Sequence, residues 1–380
     1  MSIEQTQWYS HKTGNLCRGC QLCVKGKKLV LFITGNCAQK CFYCPISEHK
    51  YGNDAVYANE WKISDTKNPT ELIEEAKLTG AEGAGITGGD PLTNVERCIE
   101  YITLLKKEFG QRFHIHLYTP LKLVTKENLE KLHLAGLDEI RFHPDLDDDK
   151  LWPKLELAKQ FKWTMGVEIP VVPGYGDKIK KLIDYIKDKV EFINLNELEV
   201  SDTEIEHYKL TGKYKPKDEF SYGAEGSEEL ALELLSYINT KRLDGHYCTA
   251  KLKDAVQVKK RMEARAERIK LPWEKITKDA TLIRGCAYLP ELSPGVHYHE
   301  TLKGADKKPI LEKLNQLRSK LIDKGIKDSQ LVIDGNKLRI LLPFAVAQSK
   351  CALIKKIGLL PARVEEYPTA DALEMDVEFL

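Results

Sequence analysis

Nowhere in this chain do 18 apolar residues run together, and its first eight residues, Met1 to Trp8, are polar. The first absence excludes a membrane-spanning helix and the second a secretory signal, so the expected compartment is the cytoplasm and no membrane partner is expected. An excess of charge is missing too. The 58 basic residues stand against 57 acidic ones, a net charge of +1, which gives no global pull toward nucleic acid or a membrane surface. There is no internal repeat and no low-complexity linker. What the chain does have is ten cysteines. Without a secretory signal, so many thiols point to metal binding rather than disulfides. A chain of 380 residues exceeds one ordinary core, and one large domain with a smaller one is expected.

Three of the thiols fall in Cys37-Ala-Gln-Lys-Cys41-Phe-Tyr-Cys44. They follow the apolar run Leu29 to Gly35, which reads as a buried parallel strand, so they occupy the loop after a strand. Thiolates this close can face one point, and they are the usual ligands of iron-sulfur clusters. A four-iron cube held by only three of them keeps one iron open for chemistry. Zinc is the bland alternative, but it normally closes with four ligands, usually from pairs of cysteines two apart.

Cys37, Cys41 and Cys44 resemble the CxxxCxxC motif of the radical S-adenosylmethionine (radical SAM) family, with the aromatic Tyr43 before the last cysteine as in that family. The resemblance implies a [4Fe-4S] cluster whose open iron binds the amino and carboxylate groups of SAM. Electrons from a donor such as a ferredoxin or flavodoxin would then cleave SAM to a 5'-deoxyadenosyl radical that abstracts hydrogen. Ile86-Thr87-Gly88-Gly89-Asp90-Pro91 looks like the GGE motif of the same family, with Asp for Glu. That likeness implies that Thr87, Gly88, Gly89 and Asp90 seat SAM, Asp90 supplying a carboxylate to its ammonium group. Without the upstream cysteines, the same residues would read as a Gly-Gly turn capped by Asp-Pro. The resemblance extends over about residues 29 to 200 and is closest to archaeal members related to the pyruvate formate-lyase activating enzyme.

Strand-like runs at Ala84 to Thr87, Phe113 to Thr119, Glu139 to His143, Thr164 to Pro170 and Phe192 to Glu197 alternate with amphipathic stretches such as Pro69 to Thr79 and Asn94 to Phe109. With the strand before Cys37 they make six strand-helix units, the pattern of a parallel sheet. The family likeness implies that these close into a partial (β/α)6 barrel. The period-two pattern adds that Phe113, Ile115, Leu117, Ile140 and Phe142 share one face, while His114, His116, Tyr118, Arg141 and His143 share the other. Glu168, Asn194 and Asn196 continue that second face. The interior is therefore expected to be polar, unlike a packed barrel core. Any one of these polar side chains could merely pair internally; as a set, Tyr118, His143, Glu168 and Asn196 are candidates for a ligand at the carboxyl ends of the strands, with Arg141 and Glu168 apt for the SAM carboxylate and ribose.

A second thiol group, Cys17-Arg-Gly-Cys20-Gln-Leu-Cys23, precedes the first strand. The helix Ser227 to Asn239 should return the chain to the bottom of the barrel, and Asp244-Gly-His-Tyr-Cys248 follows it. Cys17, Cys20, Cys23 and Cys248 are thus expected to form one tetrathiolate site at the bottom, with His246 as substitute ligand. The first strand alone spans roughly 20 Å at about 3.3 Å per residue, so that site should lie too far from Cys37 to meet substrate. Four thiolates suit zinc and an iron-sulfur cluster alike. Cys98, Cys286 and Cys351 read as small apolar core residues.

The helix-like stretch Lys251 to Lys270 is locally basic. A solvated face is the usual meaning of such a run, and an RNA-tracking surface the sharper one. Beyond it, the β-α-β-β-α-β order from Thr281 to Tyr367, with the turn Asp334-Gly335-Asn336, is the split βαβ, ferredoxin-like arrangement. The expected organisation is a cysteine-rich segment (1–28), the α/β partial barrel (29–243), the Cys248 segment with the basic helix (244–275), and a ferredoxin-like α+β appendage (276–380) for substrate or partner. Three functions follow: a radical SAM enzyme of oxidoreductase type acting on a small molecule or protein, the same chemistry on RNA, or an iron-sulfur electron carrier that does not cleave SAM. A seat for SAM speaks against the last.

Overall fold

The computed structural model describes residues 2–218 and 222–380, and the chain divides between Arg261 and Met262 into two units. The first is built on seven parallel strands, β1 (Lys28–Phe32), β2 (Gly83–Thr87), β3 (His114–Pro120), β4 (Glu139–His143), β5 (Thr164–Val171), β6 (Phe192–Glu197) and β7 (Asp244–Cys248). They lie side by side in chain order, each pair parallel. Short antiparallel strands extend both edges: Tyr57–Ala58 and Trp61–Lys62 beyond β1, His11–Thr13 and Ile3–Gln5 beyond β7. The six expected strands are all present.

β7 is the addition. Its sequence carries one large apolar residue, Tyr247, and a glycine, so no period-two signal marks it. Its register with β6 pairs Asn196 with Cys248. Cys248 therefore stands at the carboxyl end of the sheet, not at the bottom, because the chain climbs once more after the helix Ser227–Thr240.

One face of these strands buries Leu31, Ile86, Ile115, Leu117, Ile140, Phe142, Val167, Ile169, Ile193 and Leu195, together with Leu72, Ile102, Leu105, Leu129, Ile183 and Leu235 from the helices. Each such side chain contributes about 1.5–3 kcal/mol through removal from water. That commitment turns the alternate residues inward, where His116, Arg141 and Asn194 are buried.

The N-terminal segment belongs to this inner face. The helix α1 (Arg18–Cys23) runs against β3 and β4 at Gly19, where a Cβ would stand 2.3 Å from Arg141 Nη2 and 2.7 Å from Glu139 Oε1. Only glycine permits that approach, and the Gly19 N–H donates to Glu139 Oε2 at 3.0 Å.

The second unit orders its strands Val332–Asp334, Arg339–Leu342, Leu282–Tyr288, Leu360–Glu366, Glu374–Phe379, every neighbouring pair antiparallel. The last strand, and the short Lys275–Ile276, lie outside the six-element pattern read from sequence. Leu314, Leu317 and Leu321 from the helix Lys307–Asp323 and Ile354 from Cys351–Ile357 fill its core. The observed division at 261/262 cuts the stretch 244–275, because pairing of β7 draws Cys248 into the main sheet whatever the charge of the residues after it.

Candidate functional site

The loop after β1 brings Cys37, Cys41 and Cys44, all half-buried, to one wall of a cavity of about 540 Å³. Backbone bonds brace the start of that loop against the end of β2: Gly89 N–H donates to Thr34 O, and Asp90 N–H to Asn36 O, both at 2.8 Å. A Cβ on Gly88 would lie 2.5 Å from Thr34 O, and one on Gly89 2.3 Å from Asn36 O. The two glycines thus let the second strand's turn press directly on the cysteine loop, while Thr87, Gly88 and Gly89 also line the cavity.

Asp90 behaves differently. It is fully buried and does not line the cavity. Its Oδ1 accepts from Thr119 Oγ1 at 2.9 Å and from Leu92 N–H at 3.1 Å, capping the turn Pro91–Asn94, while Oδ2 has no partner. Burial raises its carboxyl above the usual value.

Other side chains tie the cysteine loop to the far strands. Tyr43 Oη lies 2.8 Å from His143 Nε2, and His143 Nδ1 lies 2.9 Å from Glu168 O. Gln39 Nε2 donates to Asp145 Oδ2 at 3.0 Å, and Lys122 Nζ to Ala38 O at 2.9 Å. The opposite wall is polar, as the alternation requires. Glu168 accepts from Arg141 Nη1 and Asn194 Nδ2, both at 2.8 Å, and from Asn196 Nδ2 at 3.0 Å. Tyr118 Oη accepts from Arg141 Nη1 at 2.9 Å. Tyr43, Tyr118, Arg141, His143, Glu168 and Asn196 all line this one cavity.

Burial pushes the Cys37 thiol up to about 11 and Cys41 up to about 12. These are protonated thiols at neutral pH, so a bound metal must displace their protons and supply the charge that makes thiolate stable. Among the described residues, no three His, Cys, Asp or Glu side chains stand around one point as a single metal ion would need. A four-iron cluster does not impose that condition, since each cysteine takes a different iron. Three thiols on one loop, facing a cavity with a glycine-edged floor, fit such a cluster.

The second thiol group does not sit at the bottom, remote from this cavity. Cys23 lines the cavity itself, and Cys20, Cys23 and Cys248 line a smaller one beside it. Two features absent from the sequence argument produce this: α1 enters the inner face, and β7 carries Cys248 to the level of Asn196. Cys17 Sγ lies 3.3 Å from Arg141 Nη2. The Cys17 thiol, then Arg141 and His246, hold Cys20 well below the usual thiol value against the effect of burial. Cys98 and Cys286 are buried in the cores and Cys351 is half-buried.

His116 lines the larger cavity as its strand face requires; Lys28, Gln39, Lys253, Gln257 and Arg261 also line it and were not foreseen. The last three come from the stretch read as a basic surface. A π-helical segment, Lys253–Val258, lies within it, a distortion common near functional sites. Lys251, Arg268 and Lys270 are exposed, but three other cations are engaged inward: Lys253 Nζ pairs with Glu199 Oε1 at 2.5 Å, Lys260 Nζ donates to Val24 O at 2.9 Å, and Arg265 is buried with Pro368 O as acceptor. That takes three cations from the surface on which the RNA reading rested.

A parallel α/β sheet gathers three free thiols over a polar-walled cavity, the donor set that an α/β iron-sulfur enzyme needs. The sequence profile of the radical SAM superfamily matches residues 31–195. A protein of Methanocaldococcus jannaschii, provisionally named a glycyl-radical enzyme activating enzyme, is 37% identical over 99% of this chain and 96% of its own length. This chain belongs to the radical SAM superfamily, and the family implies SAM and a [4Fe-4S] cluster as cofactors. Among solved structures, methylornithine synthase is 16% identical, covering 56% of this chain and 62% of that one with a TM-score of 0.39. Coproporphyrinogen III oxidase of Escherichia coli is 10% identical, covering 91% and 93% with a TM-score of 0.38. Among the described residues no helix is long and apolar enough to cross a membrane.

Proposed function

We propose that this enzyme activates a partner polypeptide by removing a hydrogen atom from a glycyl residue presented to the larger cavity. The observation that carries the reading is the joint placement of Cys37, Cys41, Cys44 and the Thr87–Gly89 backbone on one cavity wall, opposite Glu168, Asn196 and Arg141. The name of the archaeal relative supports the choice of a protein substrate. When bound, the cluster and SAM supply the 5'-deoxyadenosyl radical, with the electron delivered by a ferredoxin or flavodoxin.

The chain's own residues do the rest. Cys37, Cys41 and Cys44 would hold the cluster. The Tyr43–His143 bond and the Gln39–Asp145 bond fix both ends of their loop, so the thiols keep their spacing. The Thr87–Gly89 backbone offers SAM a close approach, and Asp90 shapes that turn from behind. Glu168, held by three amide and guanidinium donors, keeps an acceptor in place for a ribose or ammonium group. Pro45, Ile46, Pro170 and Leu198 on the wall exclude water from the reacting atoms. A cavity of about 540 Å³ falls within the range that encloses one drug-sized ligand.

A small polar molecule is the second reading, favoured by Lys253 and Glu199 on the same wall. The test is anaerobic formation of 5'-deoxyadenosine from SAM by reconstituted, reduced protein, with the Cys37→Ala, Cys41→Ala, Cys44→Ala variant beside it. Product from the native chain alone supports radical initiation. A glycyl doublet in the electron paramagnetic resonance (EPR) spectrum of a co-expressed partner supports the protein substrate; 5'-deoxyadenosine released with a small molecule and no such doublet overturns it.

A further inference from the structure

The smaller cavity holds about 90 Å³ and is walled by Cys20, Cys23 and Cys248; it adjoins the larger one at Cys23, Arg141 and Glu168. A water molecule needs about 10–15 Å³ on the same measure, so the thiols face a space several waters wide. Donors surround the sulfurs. Cys20 Sγ has Asn194 Nδ2 at 3.3 Å and Arg141 Nη2 at 3.7 Å, and the same nitrogen lies 3.3 Å from Cys17 Sγ one turn earlier on α1. A guanidinium is a donor only, and a neutral thiol accepts weakly, so this arrangement suits sulfur that carries negative charge. His246, 3% exposed, is on the same wall. Its Nε2 has Ser10 Oγ at 3.2 Å, but Nδ1 is buried without a partner.

The space between the thiols discriminates between metals. Zinc takes four sulfurs at about 2.3 Å from one centre, whereas Cys20, Cys23 and Cys248 stand around a cavity of about 90 Å³. A cluster binds each cysteine at a separate iron and itself fills the volume between them. We propose that Cys20, Cys23 and Cys248 hold a second iron-sulfur cluster in the smaller cavity, sharing a wall with the reaction chamber, with Cys17 as the nearby fourth thiol on Arg141 and with Arg141, Asn194 and His246 as donors to its sulfurs. The site does not depend on what fills the larger cavity.

The test is iron, acid-labile sulfide and zinc per chain after anaerobic reconstitution, with Mössbauer spectra. Native protein is expected to hold about eight irons, and the Cys37→Ala, Cys41→Ala, Cys44→Ala variant about four with matching sulfide. The Cys20→Ala, Cys23→Ala, Cys248→Ala variant should also hold about four, with an EPR signal that shifts on adding SAM. His246→Ala should keep the full count. A first variant that holds no iron and sulfide, or one zinc without sulfide, overturns the proposal without needing the second variant to fold. If the first variant keeps its iron while the second keeps none, the second cluster stands and the reading of the larger cavity fails.

Discussion

Arg141 at 2% exposure and Arg339 at 0% are the most deeply buried arginines among the described residues, and their partners set two regions apart. Arg339, in the second unit, is closed on all sides by Asp334 Oδ2 at 3.0 Å, Tyr288 Oη at 2.8 Å and Glu366 Oε2 at 2.6 Å. Arg141, in the sheet of the first unit, spends Nε on Glu139 at 2.6 Å and Nη1 on Glu168 and Tyr118, while Nη2 meets Glu139 Oε1 at 2.6 Å and also the sulfurs of Cys17 and Cys20 at 3.3 and 3.7 Å. It also lines both cavities. The same residue type, equally buried, is an internal strut where every donor meets a carboxylate or phenol, and part of a site where a donor meets reactive thiols beside open space.

The largest effect should come from the open region. Cys41→Ala is expected to reduce 5'-deoxyadenosine formation to background while thermal unfolding stays near native; retained product would break the comparison at its functional end. In the closed region the loss should be of stability. Arg339→Met takes the cation from the half-buried Asp334 and leaves the buried Glu366 with Arg284 alone at 2.9 Å, and breaking such a network costs about 3–5 kcal/mol, measurable as a lowered urea midpoint. A cost under about 1 kcal/mol would mean that the network contributes little.

Gly89→Ala tests the contact between the β2 turn and the cysteine loop. The clash with Asn36 O has no flexible side chain to absorb it, so overpacking of about 1–3 kcal/mol is expected, with weaker cluster retention as the readout. A pH series then sharpens the closed side. Burial raises the Asp334 carboxyl, but Arg339 and the backbone N–H groups of Lys337 and Asn336 outweigh it and hold it below its ordinary 3.8. A depressed carboxylate contributes stability above its unfolded value and loses it as pH falls through the folded one. Unfolding of the second unit should therefore become easier below about pH 4, and Asp334→Asn should flatten that slope. The smallest effect is expected at Asp90→Asn, which keeps the Oδ1 acceptor for Thr119 and Leu92: under about 1 kcal/mol in stability and little change in SAM affinity, read by calorimetry. A large loss of SAM affinity would instead put the carboxylate in contact with the ligand.

The inward face of the parallel sheet was legible because it is a local property. With Ile115, Leu117, Ile140 and Phe142 committed to the helices, His116, Tyr118, Arg141 and His143 had to point the other way, and they do. The basic stretch from Lys251 was misleading for the opposite reason: charge composition does not say which side of a helix is covered, and Lys253, Gln257 and Arg261 turned out to line the cavity. Asp90 shows the limit of a motif. Its place beside Gly88 and Gly89 suggested contact with ligand, yet its side chain folds back to cap the next turn.

Spacing along the chain determined the three-thiol loop, the six strands and the side of the sheet on which each strand residue lies, because strand alternation and neighbouring ligands are set within a few residues. Only the tertiary structure decided that α1 enters the sheet's inner face, that β7 joins it, and that Cys20, Cys23 and Cys248 meet beside Arg141. Those contacts join residues more than a hundred positions apart, and they depend on a missing Cβ at Gly19 and on a strand too polar and too short to announce itself. Periodicity names the face a residue occupies; only packing names its neighbour.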